Sequence, residues 1–133
     1  VLPYMSKNSR ILQFASAAAF LPQPRFAVYA ATKAFVLSYS RALAMELKPR
    51  QIFVTAVCPG PVKTEFFDIA ETTDEIPLYK CLVMADPKKV VKKALRDSMM
   101  GKTVSVYGFL MKAFFVLAKI LPHDVILSLL FSE

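Results

Sequence analysis

The apolar segment Ile52–Val57 constrains the fold of this chain more than any other segment. Four of its six residues are β-branched, and only Thr55 is polar. A strand with one wet face alternates apolar and polar residues, whereas an apolar run is typical of a strand buried on both faces of a parallel sheet. The sequence therefore predicts an α/β fold in which helices cover both faces of the sheet.

Strand and helix signals alternate along the rest of the chain. The predicted elements are a strand at 11–15, a helix at 26–48, a strand at 52–57, a helix at 87–100, a strand at 103–107, an apolar helix at 109–121 and a short helix from Asp124. This order indicates βαβ crossovers and a parallel sheet. Three strands alone make a poor sheet, so we expect part of a doubly wound, Rossmann-like sheet with flanking helices, whose N-terminal half is missing.

Composition narrows the classes of function. The 133 residues suit one domain, and the formal charge of +7 is concentrated in the flanks at 1–50 and 87–133, around an acidic middle stretch. No aromatic residues interleave with the lysines at 88–93, so a nucleic-acid partner is not predicted. One histidine and two cysteines make a metal site improbable and favour a reducing, cytoplasmic setting.

Tyr29 and Lys33 are the first candidate catalytic pair. They lie four residues apart at the start of the long predicted helix, so both project from one face. An ammonium beside a phenol favours the phenolate, which can exchange a proton with a carbonyl or alcohol oxygen. Chance supplies such a pair readily in a chain with five Tyr and twelve Lys, and a solvated surface pair is the alternative interpretation.

Two further motifs follow the predicted strands. Ser16 comes directly after the strand at 11–15, with small residues from Ala17 onward that leave room for a ligand. The loop Pro59–Thr64 comes directly after the strand at 52–57. Ligands of open α/β sheets bind beyond the carboxyl ends of strands. Each motif alone is equally consistent with an ordinary strand exit.

Taken together, these motifs resemble the short-chain dehydrogenase/reductase family. Ser16, then Tyr29 and Lys33 in the order Tyr-Ala-Ala-Thr-Lys, then a strand ending in Pro-Gly-Pro-Val-Lys-Thr, match the common cofactor-reducing kind in order and spacing. The resemblance covers about residues 8–108, and 109–133 form an apolar helical tail. We therefore interpret 1–133 as the C-terminal part of a single dinucleotide-binding oxidoreductase domain.

The resemblance implies a role for each matching residue. Tyr29 would be the general acid/base, Lys33 would tune it and bind the nicotinamide ribose, and Ser16 would polarise the substrate carbonyl. The Pro59–Thr64 loop would line the nicotinamide of NAD(P)(H). The residues implied in cofactor binding are Tyr29, Lys33, Pro59, Gly60, Val62 and Thr64.

The family's glycine-rich fingerprint, its Asn-Asn-Ala-Gly-type motif and the Asn of its proton relay all belong upstream of Val1. The chain begins with Val1, after the point where these motifs would stand, and the motifs that it does contain are intact. We therefore interpret it as a truncated enzyme that is inactive alone. A non-catalytic fragment of the family and a binding protein associated with a membrane surface remain alternatives. The preference between NAD and NADP is set upstream and is not readable here.

The stretch after the Pro-Gly loop suggests an apolar substrate. Ala17, Phe66 and Phe67 are candidate substrate contacts, which would suit an apolar carbonyl or alcohol such as a lipid, acyl chain or steroid. These aromatic residues could equally pack on the body of the protein.

The apolar segment 109–121 is too short to span a bilayer, which takes about 20 residues. It could lie in a membrane interface, or it could be buried or form an oligomer contact. Burial or oligomer contact is the preferred interpretation, because the family commonly forms dimers and tetramers.

Overall fold

A computed structural model describes residues 1–63 and 84–131. Three strands form one parallel sheet in the order β1–β2–β3. The strands are β1 at Arg10–Phe14, β2 at Phe53–Val57 and β3 at Val104–Ser105. The register pairs Arg10 with Phe53 and Phe14 with Val57, so β1 and β2 end side by side. The predicted parallel α/β fold is confirmed.

Within the described ranges, four α-helices accompany the sheet. They are α1 at Ala27–Leu47, α2 at Pro87–Met99, α3 at Phe109–Ile120 and α4 at His123–Phe131. Three short 3-10 helices lie at Leu2–Tyr4, Ala17–Phe20 and Lys48–Arg50. Each element predicted from the sequence is present, but β3 has two residues rather than the five expected. Only Val104 and Ser105 pair with β2 before the chain turns at Gly108 into α3.

Both faces of β2 are covered, as its sequence predicts. Val54 and Ala56 belong to the apolar clusters that include the α1 residues Leu37 and Leu43. Thr55, which points to the opposite face, is fully buried and donates its hydroxyl to the Lys102 carbonyl at 2.7 Å. The one polar residue of the strand is thus satisfied by a backbone acceptor, which removes most of the cost of burying it.

Helix α2 is fixed at both ends by the residues that the sequence indicates. The Asp86 side chain accepts from the Lys88 N–H at 2.8 Å, and Pro87 occupies the first turn. Gly101 follows the helix with a φ of 70°, a left-handed conformation that glycine adopts without strain.

Helix α3 packs over the segment that follows β1. The ring of Phe20 lies 4.6 Å from that of Phe115 and 6.3 Å from that of Phe114, measured between ring centroids. The inner residues of α3 and α4 therefore belong to the same core as the 3-10 helix Ala17–Phe20. Within the ranges 1–63 and 84–131, neither α3 nor any other helix combines the length and hydropathy needed to cross a bilayer.

Candidate active site

Ser16 lies two residues beyond the end of β1 and begins the 3-10 helix Ala17–Phe20. Its hydroxyl oxygen accepts from the Ala18 N–H at 3.1 Å, so the side chain caps this short helix. The bond fixes the side chain and uses a lone pair, not the hydroxyl proton. A half-buried hydroxyl held in this way can donate that proton to a substrate oxygen.

Tyr29 and Lys33 occupy the first two turns of α1 and are both half-buried. The Lys33 ammonium lies 5.6 Å from the centroid of the Tyr29 ring. The ring of Phe26 meets the Tyr29 ring edge-on, with 6.4 Å between centroids. The two residues that the four-residue spacing predicts to share a face thus lie next to each other.

The Lys33 ammonium also donates to the carbonyl of Phe14 at 3.0 Å. Phe14 is the last residue of β1, so this bond ties the start of α1 to the carboxyl end of the sheet. An ammonium has three protons, and one is used here. The others can donate to acceptor groups of a ligand at this edge.

The loop that begins at Pro59 joins the same edge of the sheet. The Ala17 N–H donates to the Pro59 carbonyl at 2.8 Å, which connects the segment of Ser16 directly to the loop after β2. Further along, Val62 forms a parallel bridge with Ala85. The groups that bond across it are the Lys63 N–H and the Pro61 carbonyl, so Val62's own N–H and carbonyl point away from Ala85.

The structure thus brings together, at the carboxyl ends of β1 and β2, the segments that carry Ser16, Tyr29, Lys33 and Pro59–Val62. This is the edge at which open α/β sheets bind ligands. Thr64, Phe66 and Phe67 lie outside the described residues. A cleft of about 590 Å³ lies beside the loop and is lined by Lys63 and residues 84–87.

Met111 and Cys58 lie next to this edge, and the sequence gives no signal that places them there. A Cβ on Gly60 would lie 2.6 Å from the Met111 sulfur, so α3 packs directly on the loop. Cys58 is fully buried just before Pro59, and burial raises the pKa of its thiol to about 12, although Arg41 and the Ser16 backbone act in the opposite direction. Such a thiol stays neutral and packs as a small apolar group. The contacts of Met111 with Gly60, and of Cys58 with Arg41 and Ser16, join residues far apart in sequence and follow only from the fold.

The described residues contain no group of three or more His, Cys, Asp or Glu that could hold a metal ion. The proton-transfer chemistry available at this edge belongs to the hydroxyl of Ser16, the phenol of Tyr29 and the ammonium of Lys33.

Comparison with known proteins is consistent with this geometry. A family model described as short chain dehydrogenase matches residues 1–75. Very-long-chain 3-oxoacyl-CoA reductase-B from Danio rerio is 36% identical over 126 residues, which cover 92% of this chain and 37% of that protein. The chain spans about a third of the length of the curated relatives it matches.

Longer proteins of known structure share the fold. A short chain dehydrogenase from Burkholderia cenocepacia J2315 in complex with NADP has a TM-score of 0.72 at 20% identity, covering 93% of this chain and 48% of that one. A short-chain dehydrogenase from Sphingobium yanoikuyae in complex with NADPH has a TM-score of 0.65 at 27% identity, covering 85% of this chain and 46% of the other.

Proposed function

The chain belongs to the short-chain dehydrogenase family, and we propose that it supplies the catalytic part of an NAD(P)(H)-dependent oxidoreductase that interconverts a carbonyl and an alcohol. The observation that carries the proposal is the position of the Lys33 ammonium, which contacts both the Tyr29 ring and the Phe14 carbonyl. That contact places a phenol and a cation where the strands end and where a ligand would bind.

Each residue then has a defined task in carbonyl reduction. The Ser16 hydroxyl donates a hydrogen bond to the substrate oxygen and holds it towards α1. The Tyr29 phenol delivers a proton to that same oxygen, and in the reverse direction the phenolate removes it. The Lys33 ammonium stabilises the phenolate and binds the ribose hydroxyls. A bound nicotinamide supplies or accepts the hydride.

The loop after β2 would line the cofactor. We propose that Pro59, Gly60 and the backbone of Val62 lie against the nicotinamide, with Thr64 completing the contact. The Ala17–Pro59 hydrogen bond supports this role, because it fixes the loop relative to Ser16. Lys63 and Pro61 are held by Ala85, which gives the far end of the loop a second attachment.

An apolar carbonyl compound is the substrate class we propose. The segment that carries Ser16 continues into Ala17 and the buried Phe20, against which Phe114 and Phe115 pack. The Danio rerio relative is named for very-long-chain 3-oxoacyl-CoA. Long-chain 3-oxoacyl thioesters are therefore the first substrates to assay, with Phe66 and Phe67 proposed as further contacts. Equal or faster turnover of small sugars would contradict the apolar assignment.

The decisive experiment compares Tyr29→Phe with Tyr39→Phe in the full-length protein. Both tyrosines lie on α1, but Tyr39 is stacked on Phe35 and is distant in sequence from the site. Removing the Tyr29 hydroxyl should lower kcat/KM by about 10²-fold or more, the usual worth of a general acid. Tyr39→Phe should leave the rate unchanged. Near-normal hydride transfer in Tyr29→Phe would show that the proposed role is wrong.

A further inference from the structure

The outer surface of α3 is apolar and uncovered within the described part of the chain. The inner side of the helix packs on the core through Met111, Phe114, Phe115 and Ala118. The opposite side exposes large apolar side chains over the full length of the helix. We call this the α3 outer surface, and its residues are Phe109, Leu110, Val116, Leu117 and Ile120.

The exposure of these residues is high. Phe109 is 86% exposed and Ile120 is 73% exposed, although a helix that is apolar all round is normally buried or in contact with lipid. The spacing of Phe109, Val116 and Ile120 places them on one stripe, with Leu110 and Leu117 on the adjacent stripe. The surface is therefore a continuous apolar patch and not a scatter of single side chains.

The two charged side chains of α3 itself are both positive, and the nearest acid along the chain is Asp124, in the first turn of α4. Lys112 and Lys119 are seven residues apart and lie along one side of the patch, and α3 itself contains no acidic residue. The Lys119 ammonium lies 4.4 Å from the centroid of the Phe115 ring, and the Arg41 guanidinium lies 5.9 Å from the same centroid. The Phe115 ring of α3 therefore has two cations close to it, Arg41 and Lys119.

A groove of about 500 Å³ extends this cationic margin. Arg41, Lys102 and Lys119 line it, together with uncharged residues, and no acidic side chain is part of its lining. Lys102 is already paired with the buried Asp97 at 2.9 Å, on the α2 side. Arg41 and Lys119 therefore face the groove as the cations that a phosphate or carboxylate group could approach.

We propose that the α3 outer surface docks on a membrane surface that contains anionic lipids. An interfacial helix inserts its apolar side among the acyl chains while its cations meet the headgroups, which matches an apolar patch bordered by Lys112 and Lys119. The cationic groove adds a place for a headgroup at the same margin.

The charge pattern favours lipid over a second copy of the chain. A twofold contact would put this surface against itself, so both copies would bring only cations from α3 to the contact. No acid on α3 could pair with them. Lysine is also favoured on the polar side of helices that bind anionic membranes.

The proposal stands on residues other than Ser16, Tyr29 and Lys33, and its test does not depend on activity. Full-length protein is floated with vesicles of phosphatidylcholine alone or mixed with phosphatidylserine, at low and at high salt. Co-flotation should require phosphatidylserine and weaken with salt. Ile120→Asp should abolish it, while Met45→Asp, at a comparably exposed site on α1, should not.

Two double variants that remove the same charge from different places test whether the cations beside the α3 outer surface contribute to binding. Lys112→Gln with Lys119→Gln should weaken binding to anionic vesicles at least about tenfold, given about fivefold per lysine. Lys88→Gln with Lys89→Gln removes the same charge from the exposed start of α2 and should have a much smaller effect. Equal effects of the two pairs would indicate only net charge and would overturn the proposal.

Another part of the protein could bind the vesicles, so a tryptophan placed on the α3 outer surface tests whether this surface itself contacts lipid. Ile120→Trp should be quenched by brominated phospholipid more than Met45→Trp. No difference between them would overturn the proposal, because the surface would then be covered by protein. The proposal would also be overturned if the full-length protein did not bind vesicles and if sedimentation showed that Ile120→Asp converts a dimer to a monomer.

Discussion

The Lys33 ammonium donates to the Phe14 carbonyl at 3.0 Å, so a helix-borne cation is anchored to the last residue of a strand. The bond spans 19 residues and joins the two elements that frame the candidate active site. A solvated surface lysine, the alternative interpretation of the Tyr29–Lys33 pair, would not need such an acceptor. The contact therefore favours a positioned ammonium over a freely rotating one.

Lys33→Met should separate a catalytic role from a structural one. Unfolding free energy should fall by no more than about 1 kcal/mol, because a single hydrogen bond near the surface is lost. By contrast, kcat/KM should fall by about 10²-fold or more, since both the phenolate and the ribose lose their cation. Steady-state kinetics, cofactor titration and urea unfolding of the same preparation provide the comparison. Equal losses of stability and cofactor affinity, with kcat unchanged, would argue against the proposed role.

Gly60 and Met111 should be coupled. Gly60→Ala places a Cβ 2.6 Å from the Met111 sulfur, and overpacking of this kind costs about 1–3 kcal/mol. Met111→Ala removes the obstacle, so Gly60→Ala should cost much less stability and cofactor binding in the Met111→Ala background than in the parent protein. A double-mutant cycle by thermal unfolding measures the coupling. Strictly additive effects would mean that α3 does not pack on the loop.

Asp97 should make the protein sensitive to acid. Its carboxylate is buried and accepts from Lys93 at 2.6 Å, from Lys102 at 2.9 Å and from Ser105 at 2.7 Å. Burial alone would raise the pKa of Asp97, but these hydrogen bonds outweigh it and lower the pKa to about 2 from 3.8. A lowered pKa stabilises the folded state above the unfolded pKa, so this contribution should be lost as pH falls from about 4 to about 2.

The size of that contribution is about 2 kcal/mol, at 1.36 kcal/mol for each unit of pKa. Asp97→Asn should remove it and flatten the acid limb of the stability curve, measured by urea unfolding across the acid range. Ser98→Ala is the matched control, because Ser98 is equally buried on α2 and its hydroxyl has no hydrogen-bond partner among the described residues. It should leave the pH dependence intact.

Cys58 should resist alkylation in the folded protein. Its side chain is fully buried, and burial raises its pKa to about 12, so the thiolate that reacts is scarce at neutral pH. Peptide mapping after iodoacetamide treatment should find Cys58 unmodified under native conditions and modified in urea. Rapid native labelling at Cys58 would show that the end of β2 opens readily.

Local sequence signals explain why so much of the fold could be predicted. The apolar run of β2 required cover on both faces, and the residue types of Asp86, Pro87 and Gly101 were sufficient to mark the two ends of α2. β3 was predicted too long because its extent depends on how far β2 reaches, not on its own residues.

The site was predictable to the extent that its parts follow strands. Ser16 and Pro59 each come after a strand, so a parallel sheet had to bring them to one edge. The Phe14 carbonyl as the acceptor for Lys33 was not predictable, because a backbone oxygen has no signature in sequence. The contact of Met111 with Gly60 was equally hidden, since it depends on how α3 crosses the loop.

The parallel pairing of β1 with β2 also determines what happens while the protein is being made. Arg10 pairs with Phe53, so 43 residues must be added before β1 meets its partner. At about 5–20 residues per second, the ribosome takes about 2–9 seconds to add them. Until those residues have been added, β1 cannot form its hydrogen bonds to β2.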